Sequence, residues 1–136
     1  YQSGLQDFKQ RWIEAISAWE KRAASLSQKR IITHHKSWVY LENWLGLERV
    51  ASLERISGVP PTAGHLSSLL SRFGEGGADI IIHAPYQSEK ASKWLSERTG
   101  IPEVMLPLTI GGSEGATNLF SWIDDILDRL LGALQQ

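Results

Sequence analysis

Apolar residues recur with a helical period through the first part of the chain, and charged residues fill the positions between them. Over residues 5–29 the apolar positions are three or four residues apart, which places them on one face of a helix. They are Leu5, Phe8, Trp12, Ile16, Trp19, Ala23 and Leu26. The spacing predicts one long amphipathic helix, roughly 36 Å in length at about 1.5 Å per residue.

Beyond residue 30, short apolar runs alternate four times with helical patterns. The predicted strands cover residues 30–34, 50–56, 79–83 and 104–108, and the predicted helices cover residues 36–45, 62–73, 88–98 and 119–134. The run at 80–82 is wholly apolar, which is typical of a parallel strand covered on both faces. This alternation predicts an α/β fold, namely a three-layer sandwich with a four-stranded parallel sheet, preceded by a long linking helix.

Residues with strong terminal preferences mark where the predicted helices begin and end. The hydroxyls of Thr62 and Ser88 can accept a hydrogen bond from the first free N–H groups of a helix. Gly46 and Gly100 can adopt the left-handed conformation that commonly ends one. We therefore expect helices to start at Thr62 and Ser88 and to stop at the two glycines.

The composition narrows the class of protein. The chain has 136 residues with 42% hydrophobic and 21% charged residues and a net charge of −1, which is typical of one globular domain. No apolar run approaches the ~18 residues of a membrane span. Absence of cysteine excludes disulfides and thiolate ligands.

The basic residues of the first helix lack a stacking platform or a known motif, so we expect no nucleic-acid partner. The six tryptophans are interpreted as core and interdomain packing residues.

Histidines occur at the ends of two predicted strands. His34 and His35 follow the first strand, and His83 ends the third. Because ligands of open α/β sheets bind at the carboxyl ends of the strands, these imidazoles are candidate metal ligands, and imidazole suits zinc. The alternative is that each is a structural histidine with satisfied hydrogen bonds. His65, in the first turn of a helix, is interpreted as structural.

A glycine-rich loop at residues 111–115 lies between the last strand and the last helix, where a phosphate cradle would lie. It matches neither the GxGxxG nor the Walker pattern, and the chain contains no GxSxG or HExxH motif. Two alternative functions stay open from the residues alone. One is a stand-alone α/β enzyme that uses His34, His35 or His83 as general base and the loop as an anion cradle. The other is a metal-independent interaction module that associates through the apolar face of the long helix.

One ordered set of segments resembles a known family. Residues 35–47, HKSWVYLENWLGL, resemble the segment H-D-A-[FY]-x-Y-F-x-x-x-Y-G-L that opens the C-terminal lobe of substrate-binding proteins of zinc and manganese ABC importers. Residues 60–66, PPTAGHL, resemble the PSxxxL helix start of that family, and residues 106–112, LPLTIGG, resemble the LPxTVGG segment of a subgroup. The resemblance covers essentially the whole chain.

The resemblance implies a domain organisation and a site. Residues 1–30 would be the long linking helix and residues 31–136 the C-terminal α/β lobe, while an N-terminal lobe with further histidines would be missing. His35 would match the C-lobe metal ligand, with His34 and His83 beside it. The family usually has an acidic residue at the position of Ala84 and an aspartate near Leu108 and Thr109, so a site here would be dominated by histidine.

The resemblance also implies a function and partners. The protein would be no enzyme but the extracytoplasmic or periplasmic, exported component that captures zinc, or manganese or another divalent cation, for a membrane ABC permease. Metal binding by the chain alone would be weak or absent, because one or two histidines supply fewer than the three or four ligands of a tight zinc site. A lobe without its partner lobe could also dimerise through its exposed apolar helix.

Overall fold

The computed structural model describes residues 1–135. Within this range the chain forms five α-helices and four β-strands in the predicted alternating order. The helices are α1 (Gln2–Arg22), α2 (Val39–Leu45), α3 (Ala63–Phe73), α4 (Lys90–Thr99) and α5 (Leu119–Leu134), and the strands are β1 (Arg30–Thr33), β2 (Glu48–Ser52), β3 (Ile80–His83) and β4 (Glu103–Met105). Gln136, the last residue of the predicted lobe, lies outside the described residues.

The four strands form one parallel sheet in the order β2-β1-β3-β4. One face packs against α1, α2 and α5, and the other packs against α3 and α4. β3 is buried on both faces, and Ile80, Ile81 and Ile82 have no exposed surface. The predicted three-layer α/β sandwich with a preceding long helix is therefore confirmed.

The long helix ends earlier than its apolar stripe suggested. α1 stops at Arg22, and a short 3-10 turn at Ala24–Leu26 follows. Gln28 then takes a positive φ of 66°, which turns the chain into β1. Leu26 therefore enters the core from this turn and not from the helix, so the predicted helix end at residue 29 is wrong. The periodicity continued because both kinds of helix return a side chain to one face every three to four residues.

Two strands start before the predicted positions. β2 begins at Glu48, soon after the end of α2. It begins there because Glu48 is the residue that pairs with Arg30, the first residue of β1, in the parallel register. It ends at Ser52, so Glu54 belongs to the loop that follows the strand. β4 likewise covers Glu103–Met105 and stops before Pro107. The ends of these strands were wrong because pairing partners, which a single segment does not contain, decide where a ladder stops.

The predicted helix ends are close to those observed. Gly46 and Gly100 adopt φ values of 71° and 76° directly after α2 and α4, as expected. Thr62 is the N-cap of α3 and accepts a hydrogen bond from the His65 N–H at 3.2 Å. Ser88 Oγ accepts from the Lys90 N–H, although α4 itself begins at Lys90. Between residues 1 and 135, no helix combines the length and the apolar character needed to cross a membrane.

Candidate metal centre

Strand alternation directs two of the candidate histidines toward the α3–α4 layer. Ile32 and Ile81 belong to the core on that side of the sheet, and His34 and His83 each lie two residues further along the same chain path. Both histidines are buried, with 6% and 4% of their surface exposed. His35, which follows the end of β1, is half-buried, with 31% of its side chain accessible. Of the three predicted ligands, His35 is thus the one that solvent reaches.

A carboxylate that follows β2 joins the two histidines of the β1 end. Oε2 of Glu54 lies 2.5 Å from Nδ1 of His35, and Oε1 lies 3.7 Å from Nε2 of His34. The N–H of Gly58 donates to the same Oε2 at 3.1 Å, which ties the loop after β2 to the pair. Glu54 is held in place because its own N–H donates to the His34 carbonyl, extending the contact between the β1 and β2 ends.

Glu54 is an anion at neutral pH. Burial alone would raise its pKa, but the hydrogen bonds from His35 and from the Gly58 N–H, together with the nearby imidazoles, hold the pKa below the usual glutamate value. An ionised carboxylate only accepts hydrogen bonds, so the nitrogen that faces it, Nδ1 of His35, carries the proton. This assigns the lone pair of His35 to Nε2. Carboxylate–imidazole pairs of this kind orient histidines that bind metal through the other nitrogen.

His34 is a neutral, packed imidazole. Burial lowers its pKa, Glu54 opposes the shift, and His83 and His35 add to it. Its Nδ1 is buried and has no hydrogen-bond partner among the described residues. Its Nε2 is too far from Glu54 for a normal hydrogen bond. Only 6% of the surface of His34 is exposed, so little of its ring is open to a metal ion.

His83 forms a second imidazole–carboxylate pair on the next strand. Its Nδ1 lies 2.9 Å from Oε2 of Glu103, and the buried Ser92 hydroxyl on α4 donates to the same oxygen at 3.2 Å. The parallel register explains the contact, because Glu103 pairs with Ile81, two residues before His83 on the same face. His83 therefore has its polar partner within the layer between the sheet and α4.

The structure brings the three histidines to one sheet edge but not into one ligand set. Within residues 1–135, no group of three or more histidine and carboxylate side chains is arranged to hold a metal ion. Glu54 and Glu103 were both missed as partners. The signal for Glu54 was its place near the carboxyl end of the second predicted strand, at residues 50–56. Glu103 had no such signal, since its role depends on which strand lies beside β3.

His65 lies outside this cluster and has a structural partner, as the sequence suggested. Its Nε2 is 2.8 Å from the carbonyl oxygen of Ser52, which ties α3 to the edge strand β2.

The glycine-rich loop has a carboxylate where an anion cradle would need open N–H groups. Asp125 on α5 accepts a hydrogen bond from the Ser113 hydroxyl at 2.6 Å, and a Cβ placed on Gly115 would lie 2.8 Å from its Oδ1. Arg129 donates to the same carboxylate. Asp125 is half-buried against this loop. A negative charge under the loop disfavours phosphate binding there.

The segments that follow the strands carry exposed apolar residues, which together form an apolar rim. Exposed large hydrophobic residues occur in every segment that follows a strand, namely Val39, Tyr40, Ile56, Val59, Tyr86, Leu108, Ile110 and Leu119. An apolar cavity of about 400 Å³ between α2 and α5 continues this rim and is lined by Trp38, Tyr40 and Trp122 among others. Trp19 and Trp38 are buried in the core, as expected for packing residues.

Several solved protein structures share this fold. The chain shares its fold with the SBP FpvC from Pseudomonas aeruginosa in complex with Mn²⁺, with a TM-score of 0.71 and 18% identity over 99% of this chain and 50% of that chain. A ZnuA crystal structure gives a TM-score of 0.70 and 18% identity over 99% of this chain and 48% of that one. A Cd-bound periplasmic metal binding protein from Candidatus Liberibacter asiaticus gives 0.74 and 13% identity over 98% and 52%.

The chain spans about half the length of these solved structures. No curated protein sequence matches it. A family model does, over residues 1–133, and its family consists of metal-binding substrate-binding proteins. Since this match covers nearly the whole chain, the chain belongs to the ZnuA family, zinc-uptake complex component A, periplasmic.

Proposed function

We propose that this chain is the C-terminal lobe, with its linking helix α1, of an extracytoplasmic protein that captures a divalent metal ion, zinc in the first place, and delivers it to an ABC importer. Residues 1–30 would form the linking segment and residues 31–136 the lobe. The protein would act by capture and release and would catalyse no reaction. Family membership supports the class of protein, and the geometry of His35 supports the site.

The observation that carries the proposal is the pairing of His35 with Glu54. The carboxylate lies 2.5 Å from Nδ1 of His35, which leaves Nε2 without a hydrogen-bond partner within residues 1–135. The partly exposed ring can therefore offer a lone pair to a metal ion at the sheet edge. The neutral imidazole is the binding form, so acid would release the metal.

A second lobe would supply the remaining ligands. A tight zinc site needs three or four ligands, and His35 provides one. The apolar rim around His35 is a surface that such a lobe would cover, since exposed apolar patches commonly mark interfaces. The coverage of only half of each similar structure fits this organisation. The membrane permease would then be a partner of the two-lobe protein.

The donor set favours zinc over manganese. Leu108 and Thr109 occupy the segment after β4 and offer no carboxylate, and Ala84 follows β3. A site built mainly from imidazoles suits zinc, whereas manganese prefers oxygen ligands.

Zinc titration by calorimetry tests the proposal. We expect weak binding to this chain, tight binding to the two-lobe protein, and loss of the tight binding in His35→Ala. His65→Gln is the matched control, because the imidazole that it removes is hydrogen-bonded to the Ser52 carbonyl and not to Glu54. Tight zinc binding by this chain that survives His35→Ala would overturn the assignment.

A further inference from the structure

An open cavity of about 350 Å³ lies next to the proposed metal edge, between the edge strand β2 and α3. Its wall comes from three parts of the chain, namely the segment after β1, the strand β2 with its following loop, and α3. Four permanent cations line it, Lys36, Arg49, Arg55 and Arg72. Glu54 is the single carboxylate in the lining.

The cations of this cavity are poorly neutralised. Glu54 is already engaged by His35 and the Gly58 N–H. Across residues 1–135, Lys36, Arg55 and Arg72 form no salt bridge. The Arg49 guanidinium is 3.7 Å from Glu42, too far for a hydrogen bond, and its Nη1 is buried without a partner.

This accumulation of positive charge contrasts with the chain as a whole. The protein has 15 acidic and 14 basic residues and a net charge of −1, yet four of the basic residues surround one cavity with one acid. Like charges brought together in a concave site raise the local potential and attract counter-ions. Guanidinium groups in particular bind carboxylates and phosphates through paired hydrogen bonds.

The edge of the sheet adds a backbone donor. The N–H of Leu53 donates inward to the Thr33 carbonyl, so alternation turns the N–H and carbonyl of Ser52 toward the open edge. The outward direction is confirmed by the hydrogen bond between the Ser52 carbonyl and His65. Ser52, which also lines the cavity, thus presents an N–H group beside the cations.

We propose that this cavity binds a small anion that carries two or more carboxylate or phosphate groups. Arg55 and Arg72 would approach its charged groups from the loop after β2 and from α3, with Lys36 and Arg49 completing the positive wall. The volume suits a molecule of the size of a tricarboxylate. Glu54 lines this cavity and also bonds His35, so the two sites share one carboxylate while the cations belong to the cavity alone.

Calorimetric titration of metal-free protein with citrate and with pyrophosphate, at constant ionic strength, tests the proposal. We expect saturable binding of at least one anion, weakened about tenfold in Arg55→Gln and in Arg72→Gln, since a charge-assisted hydrogen bond is lost in each. Arg98→Gln is the matched control, because Arg98 is an exposed arginine that packs over Trp94 on α4. It should change the affinity less than about twofold.

The two anions distinguish the two chemical classes of ligand that could bind in the cavity. Binding of citrate alone assigns the site to polycarboxylates, and binding of pyrophosphate alone assigns it to ligands with two or more phosphate groups. Amide chemical shifts read out the location, because a bound anion should move the Ser52 and Arg72 resonances. Absence of saturable binding of either anion at about 10 mM would overturn the proposal. Equal weakening by Arg98→Gln, or shifts confined to other residues, would do the same.

Discussion

Glu54 holds Nδ1 of His35 at 2.5 Å, and this contact gives the half-buried imidazole one defined orientation. The two residues come from the ends of neighbouring parallel strands, β1 and β2, and they are 19 positions apart in sequence. The carboxylate fixes which nitrogen carries the proton, so the other nitrogen keeps its lone pair. The first prediction concerns this relationship.

Replacing the carboxylate by an amide should weaken metal binding. In Glu54→Gln the acceptor oxygen is kept but the negative charge is lost, so the imidazole is held less firmly in the orientation in which Nε2 can face a metal ion. We expect zinc affinity of the two-lobe protein to fall about tenfold. Competition with a chromogenic chelator measures the change. Glu97→Gln, at an exposed position of α4, is the control and should leave the affinity unaltered; an unchanged affinity in Glu54→Gln would contradict the proposed role.

The Arg30–Asp79 pair should make stability depend on pH. Burial alone would raise the pKa of Asp79, but hydrogen bonds from the Arg30 N–H at 2.8 Å and from its guanidinium hold the pKa below the usual aspartate value. A carboxyl group with a lowered pKa stabilises the fold above its unfolded-state value, and this contribution is lost as the pH falls through the folded-state value.

Asp79→Asn should therefore lower the free energy of unfolding by about 1 kcal/mol at neutral pH. The difference from the unmodified protein should shrink as the pH drops below about 4, because the unmodified carboxyl group is then protonated as well. Urea unfolding at a series of pH values measures both quantities. Asp7→Asn, which removes a carboxylate with 70% exposure, should show neither effect. A difference that stays constant down to pH ~2 would rule out the pair as its source.

Two glycine substitutions should have opposite signs. Gly46 has a φ of 71°, and an added Cβ would lie 3.1 Å from the Ser27 hydroxyl, so Gly46→Ala should destabilise the protein by about 1 kcal/mol. Gly64 lies in α3 with no atom within 4 Å of an added Cβ. Gly64→Ala should stabilise by about 0.5–1 kcal/mol through its better helix propensity. Thermal unfolding of both variants checks the signs, and a stabilised Gly46→Ala would show that α2 can end without the left-handed residue.

The central strand should be the most sensitive part of the core. Ile81 has no exposed surface and packs beneath α3 and α4, so Ile81→Ala should lower the free energy of unfolding by about 2–5 kcal/mol. The same change at Ile13, which is 61% exposed on α1, should cost less than about 0.5 kcal/mol. Denaturant unfolding of the two variants makes the comparison. Similar losses at both positions would mean that Ile13 is covered by another surface in solution.

Periodicity alone predicted the order and the type of the elements. The spacing of Leu5, Phe8 and Trp12 by three and four residues predicted a helix. The wholly apolar run Ile80–Ile82 predicted a strand buried on both faces. Both patterns are local, because side-chain direction repeats every 3.6 residues in a helix and every two in a strand. The glycines at positions 46 and 100 were local signals of the same kind.

Element ends depended on more distant contacts. The 3-10 turn at Ala24–Leu26 has the same apolar spacing as a helix, so only the path of the chain into β1 distinguishes the two. The start of β2 at Glu48 follows from its register against β1, which its own residues do not specify. These boundaries were therefore predicted less accurately than the elements themselves.

The sequence by itself determined the fold class, the family resemblance and the strand ends on which His34, His35 and His83 stand. Only the tertiary structure decided what each imidazole contacts. It buried His34 and paired His83 with Glu103, and it left His35 accessible with Glu54 behind it. The physical reason is that hydrophobic period is a property of one segment, whereas a hydrogen bond between neighbouring strands depends on their order and register in the sheet.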